Sequence, residues 1–224
     1  MKTLSQFFDK IYLINLDSRP DRLQSATALL HSIGVTDFLR IAGKFDNYDE
    51  SLVLGMSKQS VKNAHLECLL DAQENGYDNI LIFEDDIVLN QHDSSIESNL
   101  SMHIDNCIEW LENNEYDLFY FDNIKGISRN QEKTPIAIHR FEFANQIQKI
   151  YGKAYAHSYA VSKRFVGSLI AKQRELINSG NDGVLGNIIA EKYIYCPGIF
   201  DQRLNDISNN TSIPNIENLI PSNQ

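Results

Sequence analysis

The sequence predicts an α/β protein built on a mostly parallel sheet with helices on both faces. Two kinds of observation carry that expectation: buried-strand runs at residues 11–16 and 79–83, and helical apolar repeats between the strands, two of them closed by glycine. At 224 residues the chain suits one generous domain, taken as residues 1–207, with a tail over 208–224.

The first strand is Ile11-Tyr12-Leu13-Ile14-Asn15-Leu16. A helix to about Ile33 follows, with Ser18 as N-cap, Pro20 in the first turn, Asp21 completing a capping box and Gly34 as the stop. A second helix over 58–75 gathers Val61, Ala64, His65, Cys68, Leu69 and Ala72 on one face and ends at Gly76. It leads into the strand Asn79-Ile80-Leu81-Ile82-Phe83. A third helix over 94–111 repeats Ile96, Leu100, Ile104, Cys107, Ile108 and Leu111, and 117–122 form another strand. Residues 124–133 read as a loop and 135–150 as a hairpin or extended ribbon. A strand over 154–161, a helix from Ser162 to about Leu176, a shorter helix opened by Asp182 and a strand at 193–195 complete the pattern. The tail is rich in Asn, Ser and Pro and reads as extended or disordered.

A formal charge of −10 argues against a nucleic-acid partner or an anionic membrane surface, so any phosphate must be met locally. The three cysteines, Cys68, Cys107 and Cys196, suggest neither a disulfide framework nor a zinc cluster and fit a reducing cytosol. Neither a signal-peptide core nor a run of about 18 apolar residues is present, so a cytoplasmic protein without an integral membrane segment is expected.

The strand before residue 84 ends in three adjacent acids, Glu84-Asp85-Asp86. Ligands bind at the carboxyl ends of such strands, and adjacent carboxylates that are not solvated are relieved by a hard cation such as Mg²⁺ or Mn²⁺. The same residues also fit a solvated acidic turn with Asp85 or Asp86 capping a helix. At the first turn, Arg19 and Arg22 share a helix face where the dipole disfavours cations, which an anion would resolve. Pairing with Asp17 or Asp21 would resolve it equally.

These segments resemble glycosyltransferase family 25, the lipooligosaccharide and collagen-type galactosyltransferases. The likeness rests on Ile14-Asn15-Leu16-Asp17 with Arg19 and Arg22, on His65, on Leu81-Ile82-Phe83-Glu84-Asp85-Asp86, on His157-Ser158-Tyr159-Ala160-Val161-Ser162, and more weakly on Asp182-Gly183-Val184-Leu185. Where the family has Gly-Cys-x-x-Ser-His, this chain has Ser60-Val61-Lys62-Asn63-Ala64-His65 and keeps only the histidine. The resemblance implies a GT-A, Rossmann-type fold, a nucleotide-sugar donor such as UDP-galactose, a saccharide acceptor, a divalent metal and inversion at the anomeric carbon.

Under that reading Asp86 is a direct metal ligand and Glu84 a direct or water-mediated one, because alternate residues of an extended chain share a side. Asp85 then faces the ribose or a cap. Asn15, Leu16, Arg19, Arg22, His65, Asp85 and His157 form the donor-binding set, with His157 also able to meet metal or acceptor. His65 and His157 equally fit packed core positions. Asp182 is the general base on the acceptor hydroxyl, or else a helix N-cap, with Asp201 and Asp206 next in line. A noncatalytic nucleotide-sugar-binding module is the competing reading. A nucleotidyltransferase is disfavoured because residues 15–22 contain no glycine.

Overall fold

The structure is a computed structural model that describes residues 2–44, 49–91, 93–122, 146–151 and 156–203. Its centre is a seven-stranded sheet in the order β2-β1-β3-β7-β5-β8-β6. Five strands run one way: β1 (Lys10–Leu16), β2 (Leu39–Gly43), β3 (Asn79–Glu84), β5 (Leu118–Tyr120) and β8 (Lys192–Cys196). Two oppose them, β7 (Ser158–Ser162), inserted between β3 and β5, and β6 (Gln146–Ile150) at the edge. A separate antiparallel pair joins β4 (Ile87–Leu89) to β9 (Phe200–Gln202).

Strand alternation splits the core in two. Tyr12, Ile14, Ile80, Ile82, Tyr120 and Tyr159 pack against α3 (Met56–Asn75), α6 (Lys163–Glu175) and α7 (Asn181–Asn187) through Leu69, Leu169 and Leu185. On the opposite face, Ile11, Leu13, Leu81, Phe83 and Phe119 meet α1 (Leu4–Phe7), α2 (Pro20–Ser32), α4 (Ser94–Ser98) and α5 (Leu100–Asn113) through Leu4, Leu30, Ile96 and Ile108. The α/β architecture with helices on both faces is therefore present.

Local details differ from the sequence expectation. The N-cap of α2 is Arg19, not Ser18, and no side chain caps it, because Asp21 turns to the Arg19 guanidinium instead. The apolar repeat over 94–111 is one helix in pattern and two in fact, broken at Asn99, which is both the C-cap of α4 and the N-cap of α5. Ser162 occupies the N-cap of α6, yet its hydroxyl donates to the Tyr116 carbonyl rather than to the helix. Of the expected ribbon over 135–150, only the last five residues are described, and they form β6. The loop at 124–133, residues 154 and 155, Asp206 and the tail over 208–224 lie outside the described residues. Among the described residues no helix is long and apolar enough to cross a membrane, and the three cysteines are free and buried.

Candidate active site

The antiparallel insertion of β7 builds the site. Phe83 lies opposite Ser158, so the start of β7 meets the end of β3, and the Glu84 amide donates to the His157 carbonyl at 2.9 Å. The His157 ring stands between two carboxylates, its Nδ1 at 3.4 Å from Glu84 Oε2 and 3.4 Å from Asp86 Oδ1. One ligating atom from each of Glu84, Asp86 and His157 lies within 4.8 Å of the others.

Period-two alternation sends the intervening acid elsewhere. Asp85 turns toward β1 and α2, accepting from Asn15 Nδ2 at 2.6 Å and approached by Arg22 Nη1 at 3.4 Å. Asn15 is itself held: its Nδ2 also donates to the Arg19 carbonyl at 3.0 Å, and its Oδ1 accepts from Arg40 Nε at 3.0 Å.

Both carboxylates of the triad are braced from behind. Glu84 accepts from His65 Nε2 at 3.0 Å, and His65 Nδ1 lies 2.9 Å from the Tyr159 hydroxyl. A proton on Nε2 serves the carboxylate, and Nδ1 on the other side of the ring meets the Tyr159 hydroxyl. Asp86 accepts from Gln202 Nε2 at 2.8 Å through Oδ2, while its carbonyl accepts from the Arg203 amide at 2.9 Å. The other oxygen, Asp86 Oδ1, is buried and makes no hydrogen bond.

Burial alone would raise the Glu84 carboxyl, but contacts with His157 and His65 outweigh it and hold the group below the usual carboxylate range. Burial would likewise lower the His157 imidazole, whereas Asp86 and Glu84 together hold it well above the usual histidine value. Asp85 is pushed up by burial, against the opposing pull of Asn15 and Arg22. A further acid, Asp122 at the end of β5, is pushed up to about 7 by burial despite the nearby His157 and the Ser158 hydroxyl that bonds it.

The triad opens onto a cleft of about 570 Å³. Its walls are the end of β1 (Ile14, Asn15, Leu16), Gly43 at the end of β2, the first turns of α3 (Lys58, Ser60, Val61) and the segment 179–183 at the start of α7. Of the residues singled out in the sequence, Asn15, Leu16, Arg22, Glu84, Asp85, Asp86, His157 and Asp182 line this cleft together. His65 sits behind Glu84, fully buried. Arg19 is not in the lining and instead forks onto Asp21 at 2.9 and 2.7 Å. Asp182 is an exposed residue in the first turn of α7 whose N-cap is Gly180, so its expected alternative role as that cap does not hold. Asp201 lies in β9 opposite Val88.

Sequence reasoning missed Ser60, Arg40, Gln202 and Asp122. Only Asp122 carried a usable signal, an acid closing an apolar strand in the manner of Glu84.

No protein-family model and no curated protein matches the chain. Among solved structures it is similar to the galactosyltransferase LgtC, solved in complex with donor and acceptor sugar analogs, at 9% identity and a TM-score of 0.39, covering 83% of this chain and 72% of that one. A likeness so slight carries no argument about chemistry, which must come from the residues themselves.

Proposed function

We propose that this protein is a metal-dependent glycosyltransferase that moves a sugar from a nucleotide-sugar donor onto a saccharide hydroxyl with inversion. The observation that carries the reading is the Glu84, Asp86 and His157 triad at the carboxyl end of β3, facing a cleft of nucleotide size. The donor set suits a divalent cation: two carboxylates fit Mg²⁺ or Mn²⁺, and the imidazole nitrogen favours Mn²⁺ of the two. Asp86 Oδ1, buried without a hydrogen bond and facing the His157 imidazole at 3.4 Å, supplies a ligand atom directed at the centre of the triad. When bound, such a cation offsets the negative charge that grows on a leaving diphosphate. Family 25 and the GT-A fold remain the resemblance that brings the same residues together in the sequence.

The protein's own groups would divide the remaining work. Glu84, Asp86 and His157 hold the cation, while His65 and Gln202 fix the orientation of the two carboxylates. Asn15, Leu16 and Arg22 present the end of β1 and the start of α2 to the donor, with Arg22 and Asp85 forming a buried charged pair beneath it. Asp182, exposed on the cleft wall formed by α7, takes the proton of the acceptor hydroxyl as it attacks the anomeric carbon from the side opposite the leaving group.

UDP-galactose is the first donor to try, in a screen of UDP-, GDP- and CMP-sugars for nucleotide release that requires Mn²⁺ or Mg²⁺. Retention of a nucleotide sugar without any release of nucleotide would instead identify a noncatalytic binding module. Failure of every nucleotide to bind in the presence of either ion would refute both readings.

A further inference from the structure

Helical serines ordinarily settle their hydroxyl on the carbonyl four residues back or in solvent. Ser60, in the second turn of α3, does neither: its Oγ is buried, makes no hydrogen bond, and belongs to a residue of the cleft lining. A buried hydroxyl left unpaired costs the fold stability, which a ligand group in that position would restore.

A glycine packs beside it. A Cβ on Gly43 would stand 2.7 Å from Leu16 Cδ2 and 3.4 Å from Ser60 Oγ, so the glycine lets the Leu16 side chain close against the backbone next to the hydroxyl. Of the lining around this end of the cleft, Ile14, Leu16 and Val61 are apolar and Lys58 adds one charge.

Two independent rulers locate this corner relative to the triad. Along β1, Leu16 pairs with Gly43 and lies two residues beyond Ile14, which pairs with Glu84, an advance of roughly 6.6 Å. Along α3, Ser60 precedes His65, the residue bonded to Glu84, by five positions, or roughly 7.5 Å. The corner is therefore displaced from the cation site toward the β2 side of the sheet. A diphosphate held at the triad would direct its nucleoside there. Largely apolar walls and one unpaired hydroxyl suit a flat heterocycle with a polar edge better than a ribose, whose several hydroxyls would need more polar partners.

We propose that Ser60 is a specificity-determining residue, its hydroxyl hydrogen-bonding the polar edge of the donor's nucleobase in the corner beside Leu16 and Gly43. This rests on the nucleotide-sugar reading above and assigns a role to a position where the chain departs from the glycine of the family it resembles.

The test is calorimetric titration of the full chain with UDP, GDP, CDP and ADP in MnCl₂, and with ribose 5-phosphate as a ligand lacking the base, for the parent, Ser60→Ala and Ser60→Gly. Both variants should fold, since each removes a hydroxyl that bonds nothing in the protein. The preferred nucleotide should lose about tenfold in affinity in both variants, its advantage over the other bases should shrink, and ribose 5-phosphate should bind all three proteins alike. Unchanged affinity and base preference in both variants, with tight binding to the parent, would overturn the role of Ser60 and leave the nucleotide-sugar reading standing. Equal losses for ribose 5-phosphate would overturn the base assignment. Absence of nucleotide binding to the parent would overturn the donor reading and this inference together.

Discussion

Replacing Asp86 with Asn isolates the proposed cation site from the fold around it. Asparagine keeps the size of the side chain and retains a carbonyl oxygen for Gln202 Nε2, which now donates to Asp86 Oδ2 at 2.8 Å. It also removes one carboxylate from a cluster that already holds Glu84, Asp85 and Asp122, so the metal-free variant should melt within a few degrees of the parent. The charge that binds the cation is lost, however, and with it one of three ligands. For the parent, an ion at a hundred times its dissociation constant stabilises by about 2.7 kcal/mol. In a chain of this size each kcal/mol raises Tm by about 2–4 °C, so Mn²⁺ should raise the parent's Tm by about 5–11 °C. The same ion should shift Asp86→Asn by at most about 1–2 °C, on the same scale. Scanning fluorimetry with Mn²⁺, Mg²⁺ and EDTA reads all of this, and nucleotide release should fall by orders of magnitude in parallel. An equal Mn²⁺ shift in the two proteins, or full activity of the variant in excess EDTA, would refute the assignment of Asp86 as a ligand.

Three further outcomes are expected. Arg22→Ala strands Asp85 in a buried site and should cost about 3 kcal/mol of stability by denaturant titration, whereas Arg19→Ala should leave the midpoint near the parent's; equal losses would contradict the different burial of the two pairs. The His157 pairing, with its pKa raised, stabilises the metal-free fold fully below the ordinary value of 6.5 and fades as pH rises through the raised one. The Glu84 contribution, with its pKa lowered, is present above 4.5 and is lost as pH falls through the lowered value. Mn²⁺ would compete with a proton on His157, so its affinity should climb with pH, and calorimetry in two buffers of different ionisation enthalpy should find proton release; equal heats would refute that competition. Asp182→Asn, saturated with donor and metal, should lose turnover while keeping nucleotide affinity and Tm. Transfer at the parent rate would send the search for a base to Asp201 and Asp206.

Much of the fold was legible because its strands are buried on both faces and read as unbroken apolar runs, as at β1 and β3. β2 was not, since Leu39 is exposed and the rest of the strand only half-buried, the signature of an edge. The break at Asn99 is invisible to periodicity because Ile96 and Ile104 lie on the same core-facing side across it. Alternation correctly separated Asp85 from Glu84 and Asp86. What it could not supply was register: that His157 meets Glu84, or that Gln202 reaches Asp86, depends on antiparallel pairings between segments more than seventy residues apart. For Arg19 the sequence left two remedies open for a cation at a helix start, an anion or a nearby acid, and the structure shows the second, Asp21 two residues on.

The direction of β7 matters most to the chemistry. A parallel strand in its place would have brought its carboxyl end, Ser162, to the side of the sheet where Glu84 lies, leaving His157 at the opposite side. Running antiparallel, it brings His157 to Glu84 and Ser158 to Asp122, so that acids ending β3 and β5 converge on one imidazole. Burying those acids is unfavourable unless positive charge accompanies them. In the metal-free protein the raised basicity of His157 supplies that charge as a proton. The proposed cation would supply it in the working enzyme, releasing the imidazole to act as a ligand. One arrangement would thus serve the protein with or without the proposed cation, and it makes the proton and the ion competitors for the same position.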